Sequence, residues 1–182
     1  MRFIFDEEKA AESAAYLLGK HGGRMPYIKL LKMLYLADRQ SLIETGLPIT
    51  GAKMVSMDKG PVLSEVYRDI TWPEDHLTPW RTLISPPVGD FEVELRGDPD
   101  FRHLSPYDRD VLDAISTKFG LMDRWALVRY THSLPEWKDP DGSSLPIDVR
   151  VILEDAGKSD EEIRDIASQV ESIWSFKTFA LR

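Results

Sequence analysis

The sequence contains no cysteine. Disulfide bridges, zinc fingers, thiol nucleophiles and cysteine-ligated iron–sulfur clusters are therefore excluded. Its histidines lie far apart in the chain and show none of the paired spacings that zinc sites use. They are His21, His76, His103 and His132. We accordingly predict neither a metal ion nor another cofactor.

Basic charge and long apolar runs are also scarce. The 23 lysines and arginines are outnumbered by 31 acidic residues, which gives a net charge of −8, whereas a nucleic-acid-binding domain usually presents a basic patch. No stretch approaches the ~20 apolar residues of a membrane span, and the N-terminal residues turn acidic at Asp6 before a signal-peptide core develops. We expect a cytoplasmic protein that does not enter a membrane and does not bind nucleic acid by itself.

Most of the sequence carries the capping residues and apolar periodicity that are typical of helices. Asp6, Ser105 and Ser159 stand immediately before helical periodicities, and the last two have an acid three residues further on, as in a capping box. The most apolar helix covers residues 27–41. A spacing of about 100° per residue places its leucines on one broad face and Lys32 among the cations on the other. The sequence therefore predicts a mainly helical chain.

Strand signals are fewer. Short strands are predicted at residues 51–56, 81–85 and 91–95, and in the last of these apolar residues alternate with acids. Together they could form one small antiparallel sheet. Pro61 follows Gly60 and is expected to open a helix, because the first helical position does not need a backbone N–H.

These signals fix the expected fold class and domain organisation. We predict a mainly α fold, a compact multi-helix domain with a small antiparallel β-sheet of about three short strands. Residues 1–182 are expected to form a single domain, in which residues 138–182 are a C-terminal helical extension packed on the rest.

Two polar residues interrupt apolar or motif-rich surroundings. Asp38 falls on the apolar face of the helix at residues 27–41, where a buried acid needs a partner or a raised pKa. His132 lies in the segment 131–137, close to Glu136. A carboxylate that orients a histidine is typical of a general base, but it is also the usual way to satisfy a buried imidazole. We predict that Asp38 and His132 are buried and polar-paired, as a hypothesis with each other, in a structural role.

Three segments carry a resemblance to a known family. They are residues 29–39 (KLLKMLYLADR), 59–62 (KGPV) and 131–137 (THSLPEW). In this order they resemble the Panacea domain, the SocA-like antitoxin domain that also occurs in phage-associated proteins. The resemblance runs from about residue 27 to residue 137. Patterns of this family often have an aromatic residue where this chain has Lys59 and tryptophan where it has Met54, which bears on the choice of partner.

The resemblance implies a function. Panacea proteins are antitoxins encoded beside unrelated toxins, most of which they neutralise by direct binding, and a relative acts as an adaptor that delivers its toxin to a protease. The shared domain is mainly helical with a few short strands. We therefore expect an antitoxin that binds a cognate toxin, with no catalytic residue. A proteolytic adaptor or phage regulator is the alternative, and a small hydrolase that uses His132 is a third.

The contacts with the partner are expected at aromatic residues, because tryptophan is enriched at interface hot spots. Apolar residues beyond the stripe of the last helix could meet a toxin, a second copy of the chain or the first helix. The residues predicted to bind a partner are Lys59, Trp72, Trp80, Trp137, Phe176 and Phe179.

Overall fold

The computed structural model describes residues 1–72 and 77–180. Its helices are α1 (Glu7–Lys20), α2 (Tyr27–Thr45), α3 (Ser64–Thr71), α4 (Pro79–Leu83), α5 (Pro106–Phe119), α6 (Arg124–His132), α7 (Val149–Asp155) and α8 (Asp160–Ala180). Its strands are β1 (Arg24–Pro26), β2 (Met54–Met57), β3 (Gly60–Leu63), β4 (Glu92–Glu94) and β5 (Leu145–Pro146). The predicted mainly α fold with little β-structure is confirmed.

Helix α2 forms the centre of the molecule. It contacts α1, α3, α5, α6, α7, β1 and β3, and every residue from Leu30 to Asp38 is buried. A helix that is covered on all sides has no solvent face. The expected cationic face is therefore wrong at Lys32, whose side chain is 1% exposed.

The helix caps follow the sequence signals. The carboxylate of Asp6 accepts a hydrogen bond from the backbone N–H of Lys9 at 3.0 Å. Ser105 and Asp108 form a reciprocal capping box at the start of α5. Ser159 and Glu162 form the same arrangement before α8, with the N–H of Ser159 donating to Glu162 Oε2 at 2.7 Å. Each cap fixes where its helix begins, because it satisfies N–H groups that have no partner within the helix.

The strands form two sheets in the described residues rather than the single sheet expected. Strand β1 pairs antiparallel with β4, and β2 pairs antiparallel with both β3 and β5. Residues 81–85 are not a strand, because Thr78 caps a helix that begins at Pro79. Pro61 lies in β3 and the helix that follows begins at Ser64. Strand β3 is at a sheet edge, where a residue without an N–H is tolerated.

The C-terminal residues add to the same core. Strand β5 pairs with β2, and Ile152, Leu153 and Ile163 belong to the hydrophobic cluster that surrounds α2. Ile166 of α8 lies close to Gly46, the residue that ends α2. The side chain of Arg2 stacks over the ring of Trp174 at 5.1 Å.

Asp38 connects α2 to the segment that leads into β2. Its side chain is fully buried, and its two oxygens accept hydrogen bonds from the N–H of Thr50 at 2.9 Å and from the Thr50 hydroxyl at 2.5 Å. Burial raises the pKa of Asp38 to about 7 from 3.8, against the opposing effect of the Thr50 hydrogen bonds. Asp38 is thus buried and paired with Thr50, and the hypothesis that His132 is its partner is wrong.

We expect Asp38→Ala to lower the free energy of unfolding by about 1–3 kcal/mol, since the Thr50 N–H and hydroxyl would lose their buried acceptor. Asp38→Asn keeps an acceptor and a donor for Thr50. Between pH 4 and 7 the unfolded carboxyl releases its proton while the folded carboxyl keeps it. This group therefore lowers stability as the pH rises through that window, by an amount on the order of 2 kcal/mol between pH 5 and 8.

Urea unfolding at pH 5 and pH 8 measures both effects. The Asn variant should lose the part of the pH dependence that Asp38 contributes, and the Ala variant should be less stable than the wild type at both pH values. An Asn variant with the full wild-type pH dependence would contradict this account.

Candidate functional site

The three motif segments meet at one place in the fold. The segment 29–39 lies within α2. The segment 59–62 covers the end of the β2–β3 turn and most of β3. The segment 131–137 begins in the last turn of α6 and continues into the loop after it. Helices α2 and α6 both contact β3. The indole N–H of Trp137 donates to the carbonyl of Met57 at 3.1 Å, which ties the end of the third segment to the hairpin.

Gly60 allows this close approach. Its φ is +92°, which L side chains rarely adopt. A Cβ atom at this position would lie 2.8 Å from Thr131 Oγ1, 3.0 Å from His132 Cδ2 and 3.1 Å from Lys32 Nζ. The hairpin therefore contacts α6 and α2 with its backbone, which requires glycine.

Lys32 lies beneath the hairpin. Its ammonium group donates a hydrogen bond to the carbonyl of Pro61 at 2.7 Å, and the side chain is 1% exposed. Burial lowers the pKa of Lys32 to about 7, and no charged neighbour offsets this effect. In the described residues Lys32 makes no ion pair. A buried cation is thus held by a neutral acceptor alone.

His132 is stacked rather than ion-paired. Its ring lies parallel to the ring of Trp137, with 4.0 Å between centroids and 11° between planes. The side chain is half-buried, and its buried Nε2 atom has no hydrogen-bond partner in the described part of the chain. Burial, followed by the nearby charge of Lys32, lowers the pKa of His132 below its ordinary value. His132 is therefore half-buried rather than fully buried, and its polar partner is the backbone of Asp58 rather than Asp38 or Glu136.

Glu136 belongs to a different network. Its buried carboxylate accepts hydrogen bonds from the Tyr35 hydroxyl and from Arg39 Nε, both at 2.7 Å. Arg39 also pairs with Asp155 of α7 at 2.9 Å. This network fastens the loop after α6 to α2, and it leaves the carboxylate of Glu136 committed to Tyr35 and Arg39 rather than to His132.

Two adjacent cavities open beside the hairpin. They share Tyr27, Ile28 and Lys59 in their walls. The first, of about 180 Å³, lies over Lys32, and the second, of about 190 Å³, lies beside α6. We call the two together the aromatic groove. Its other lining residues are Leu31, Lys32, Met57, Asp58, Gly60, Val62 and Tyr67 in the first cavity and Pro26, Phe91, Arg124 and Trp125 in the second.

Exposed aromatic rings and cations surround the second cavity. Phe91 is 64% exposed and Trp125 is 47% exposed. The ammonium of Lys59 and the guanidinium of Arg124 lie over the Trp125 ring at 6.0 and 5.6 Å from its centroid. Phe91 also has a φ of +62°. A non-glycine residue in this region is strained, so the backbone presents an aromatic ring to solvent in an unfavourable conformation.

The predicted partner-binding residues fall in different places. Lys59 lines both cavities. Trp72 is 71% exposed and makes an edge contact with Tyr67 at 6.4 Å, so it extends the groove at its first cavity. Trp137 is half-buried under His132.

Three further predicted partner residues lie away from the groove. Phe176 and Phe179 are 74% and 80% exposed on α8. Trp80 is 1% exposed, because it belongs to a helix that packs on α1, and this corrects its prediction as a partner contact.

Trp125 is a groove residue that the prediction of partner contacts missed. Phe91 and Trp125 stand 34 positions apart in the sequence, and only the pairing of β4 with β1 brings the first close to Tyr27, with ring centroids 6.3 Å apart.

The described residues offer neither a metal site nor a membrane span. They contain no cluster of three or more histidine, aspartate or glutamate side chains arranged to hold a metal ion. Within the same residues, every helix is too short or too polar to cross a membrane.

Comparison with known families decides the identity. The model of the family described as antitoxin SocA-like, Panacea domain matches residues 30–138, which is more than half of the chain. The chain belongs to this Panacea family. No curated protein and no solved structure matches the chain. The Panacea region contains most of the groove, including Lys32, Phe91 and Trp125, whereas α1 and α8 lie outside it.

We expect Gly60→Ala to lower the free energy of unfolding by about 2–3 kcal/mol. The new methyl group would meet Thr131 and the Lys32 amino group at less than ordinary contact distance, in addition to the strain of its positive φ. Gly157→Ala is the matched control, because Gly157 has a φ of +82° and open space around its Cα. Urea unfolding should show a clearly smaller effect for the control. Equal losses would mean that backbone strain, not packing, accounts for Gly60.

Proposed function

We propose that this Panacea protein is an antitoxin that neutralises a cognate toxin by direct protein–protein binding, and that the aromatic groove is its contact surface. The observation that carries the proposal is the exposed ring of Phe91 beside Trp125, with two cations over the indole, on the region that the antitoxin family model matches. Tyrosine, tryptophan and arginine dominate the binding energy of protein interfaces.

The groove is also preorganised. The backbone N–H of Tyr27 donates to the carbonyl of Phe91 at 2.9 Å, which fixes the loop before β4 against the start of α2. On the other side of the second cavity, Asp123 caps α6 through the N–H groups of Trp125 and Ala126. A rigid surface loses little conformational entropy on binding, so it suits a tight inhibitor.

The polar groups beside the groove favour binding over catalysis. Glu136 is held by Tyr35 and Arg39 rather than by His132, and the imidazole of His132 stacks on Trp137. The hydroxyl of Ser133 donates to the carbonyl of Tyr130 at 2.7 Å, within its own helix end. A nucleophile–base pair needs the two groups within hydrogen-bond reach of each other. We therefore propose steric occlusion of the toxin rather than hydrolysis.

The first test is a growth assay with the protein encoded beside this chain. Its induction should arrest growth, coexpression of this chain should restore growth, and the two proteins should copurify. A neighbouring protein that does not affect growth would overturn the proposal. Toxin abundance, measured by immunoblot, separates a blocker from a proteolytic adaptor, since only the adaptor lowers it.

The second test places the interface. The variant Phe91→Ser/Trp125→Ser should weaken toxin binding by several hundred-fold, because two hot-spot rings of about 2 kcal/mol each are removed. Both side chains are exposed, so the melting temperature should change little.

Phe176→Ser/Phe179→Ser is the matched control, because these two aromatic rings on α8 are even more exposed than those of the groove. It should neutralise the toxin as the wild type does. Full activity of the groove variant together with failure of the α8 variant would move the interface to α8.

A further inference from the structure

Lys32 differs from the other buried charged side chains. In the described residues, every other buried charged side chain either pairs with an oppositely charged group or accepts two hydrogen bonds from one residue. Asp108 pairs with Lys9 at 2.9 Å, and Glu136 pairs with Arg39 at 2.7 Å. The same holds for Glu12 with His103, and for Asp38 with Thr50. Lys32 makes one hydrogen bond to the Pro61 carbonyl, although an ammonium group has three donors and a charge to balance.

Lys32, whose amino group has no counter-ion in the described residues, lines the first cavity of the aromatic groove. The walls of this cavity are otherwise mostly apolar, formed by Leu31, Met57, Val62 and the rings of Tyr27 and Tyr67. A second cation, Lys59, stands exposed at its edge. The carboxylate there, Asp58, is also exposed, and its Oδ1 accepts a hydrogen bond from the N–H of Gly142 at 3.1 Å. The cavity thus combines apolar walls with two cations in a chain of net charge −8.

We propose that the toxin inserts an acidic side chain, next to an apolar one, into this cavity and that the carboxylate pairs with the amino group of Lys32. The inference rests on the proposed antitoxin function and specifies the chemistry of the partner. The carboxylate would be the missing counter-ion, and its apolar neighbour would lie between Tyr27 and Tyr67.

A carboxylate fits this cavity better than a phosphate. One buried amino group can balance a single negative charge, whereas a phosphate carries more charge and is usually held by several donors together. The apolar walls disfavour the second charge. The burial that leaves Lys32 without a counter-ion also lowers its pKa to about 7, so a carboxylate close to the amino group would stabilise its charged form.

The chemistry of the cavity can be tested on the whole chain without the toxin. The probes are 3-phenylpropionate, which joins a ring to a carboxylate, and its uncharged isostere 3-phenylpropanamide. The readout is the NMR shift of the lysine Cε groups. Wild-type protein should bind the acid at least tenfold more tightly than the amide, with the largest shift at Lys32. Equal binding of the two probes, no binding of the acid, or preferential binding of inorganic phosphate would overturn the proposal.

Lys32→Met should abolish the preference for the acid. This variant is expected to fold, because methionine has a similar length and removes the cost of burying a charge without a counter-ion, which offsets the lost hydrogen bond to the Pro61 carbonyl. Lys59→Met is the matched control, since it removes an exposed cation from the same cavity and should retain most of the preference. A Lys32→Met protein that still prefers the acid would contradict the assigned role of Lys32.

The toxin provides a separate readout. Lys32→Met should weaken toxin binding by tenfold or more in calorimetry at an unchanged or raised melting temperature. Acid binding in the NMR experiment with unaltered toxin affinity would show a site for a free carboxylic acid and overturn the protein occupant. The growth assay tests the antitoxin function alone. A failure of that function can therefore be distinguished from a failure of the proposed carboxylate contact at Lys32.

Discussion

The burial of the central part of α2 on every side, from Leu30 to Asp38, is the constraint on which the rest of the structure depends. A polar group on such a helix cannot reach water, so it must find a partner on a neighbouring segment. Asp38 binds the segment before β2 through Thr50, and Arg39 binds the loop after α6 through Glu136. Lys32 binds the β2–β3 hairpin through the Pro61 carbonyl. The polar residues of one helix thus hold together the segments that form the groove, and its geometry is coupled to the core.

Local signals were sufficient for the parts of the fold that depend on nearby residues. The caps at Asp6, Ser105 and Ser159 join groups three residues apart, and all were predictable. The sheets were not, because β1 and β4 pair residues about 70 positions apart, as in Arg24 with Glu94. Periodicity in a short segment does not show which distant strand completes it.

The candidate site was only partly predictable, because sequence patterns indicate local burial but not the distant residues that complete a site. The position of Asp38 on an apolar helix face indicated burial, yet its partner Thr50 lies in a loop that has no distinctive pattern. Lys32 was assigned to a solvent face because helical periodicity assumes that one face meets water. Here α6 and the β2–β3 hairpin cover that face. The environment of a residue on a central helix is a tertiary property, so sequence spacing alone could not reveal the buried amino group.

An unpaired buried lysine lowers the stability of the free protein, and the proposed function gives this disadvantage a reason. Interactions that are incomplete in the free state and complete in the complex stabilise the complex selectively. A lysine already paired within the fold would contribute to folding but little to binding. The same argument applies to Phe91, which has a strained backbone and an exposed ring. Its apolar surface stays in contact with water until a partner covers it. Lys32 and Phe91 thus place a buried amino group without a counter-ion and an exposed ring around one groove. A partner that supplies both missing contacts would stabilise the complex more than the free protein.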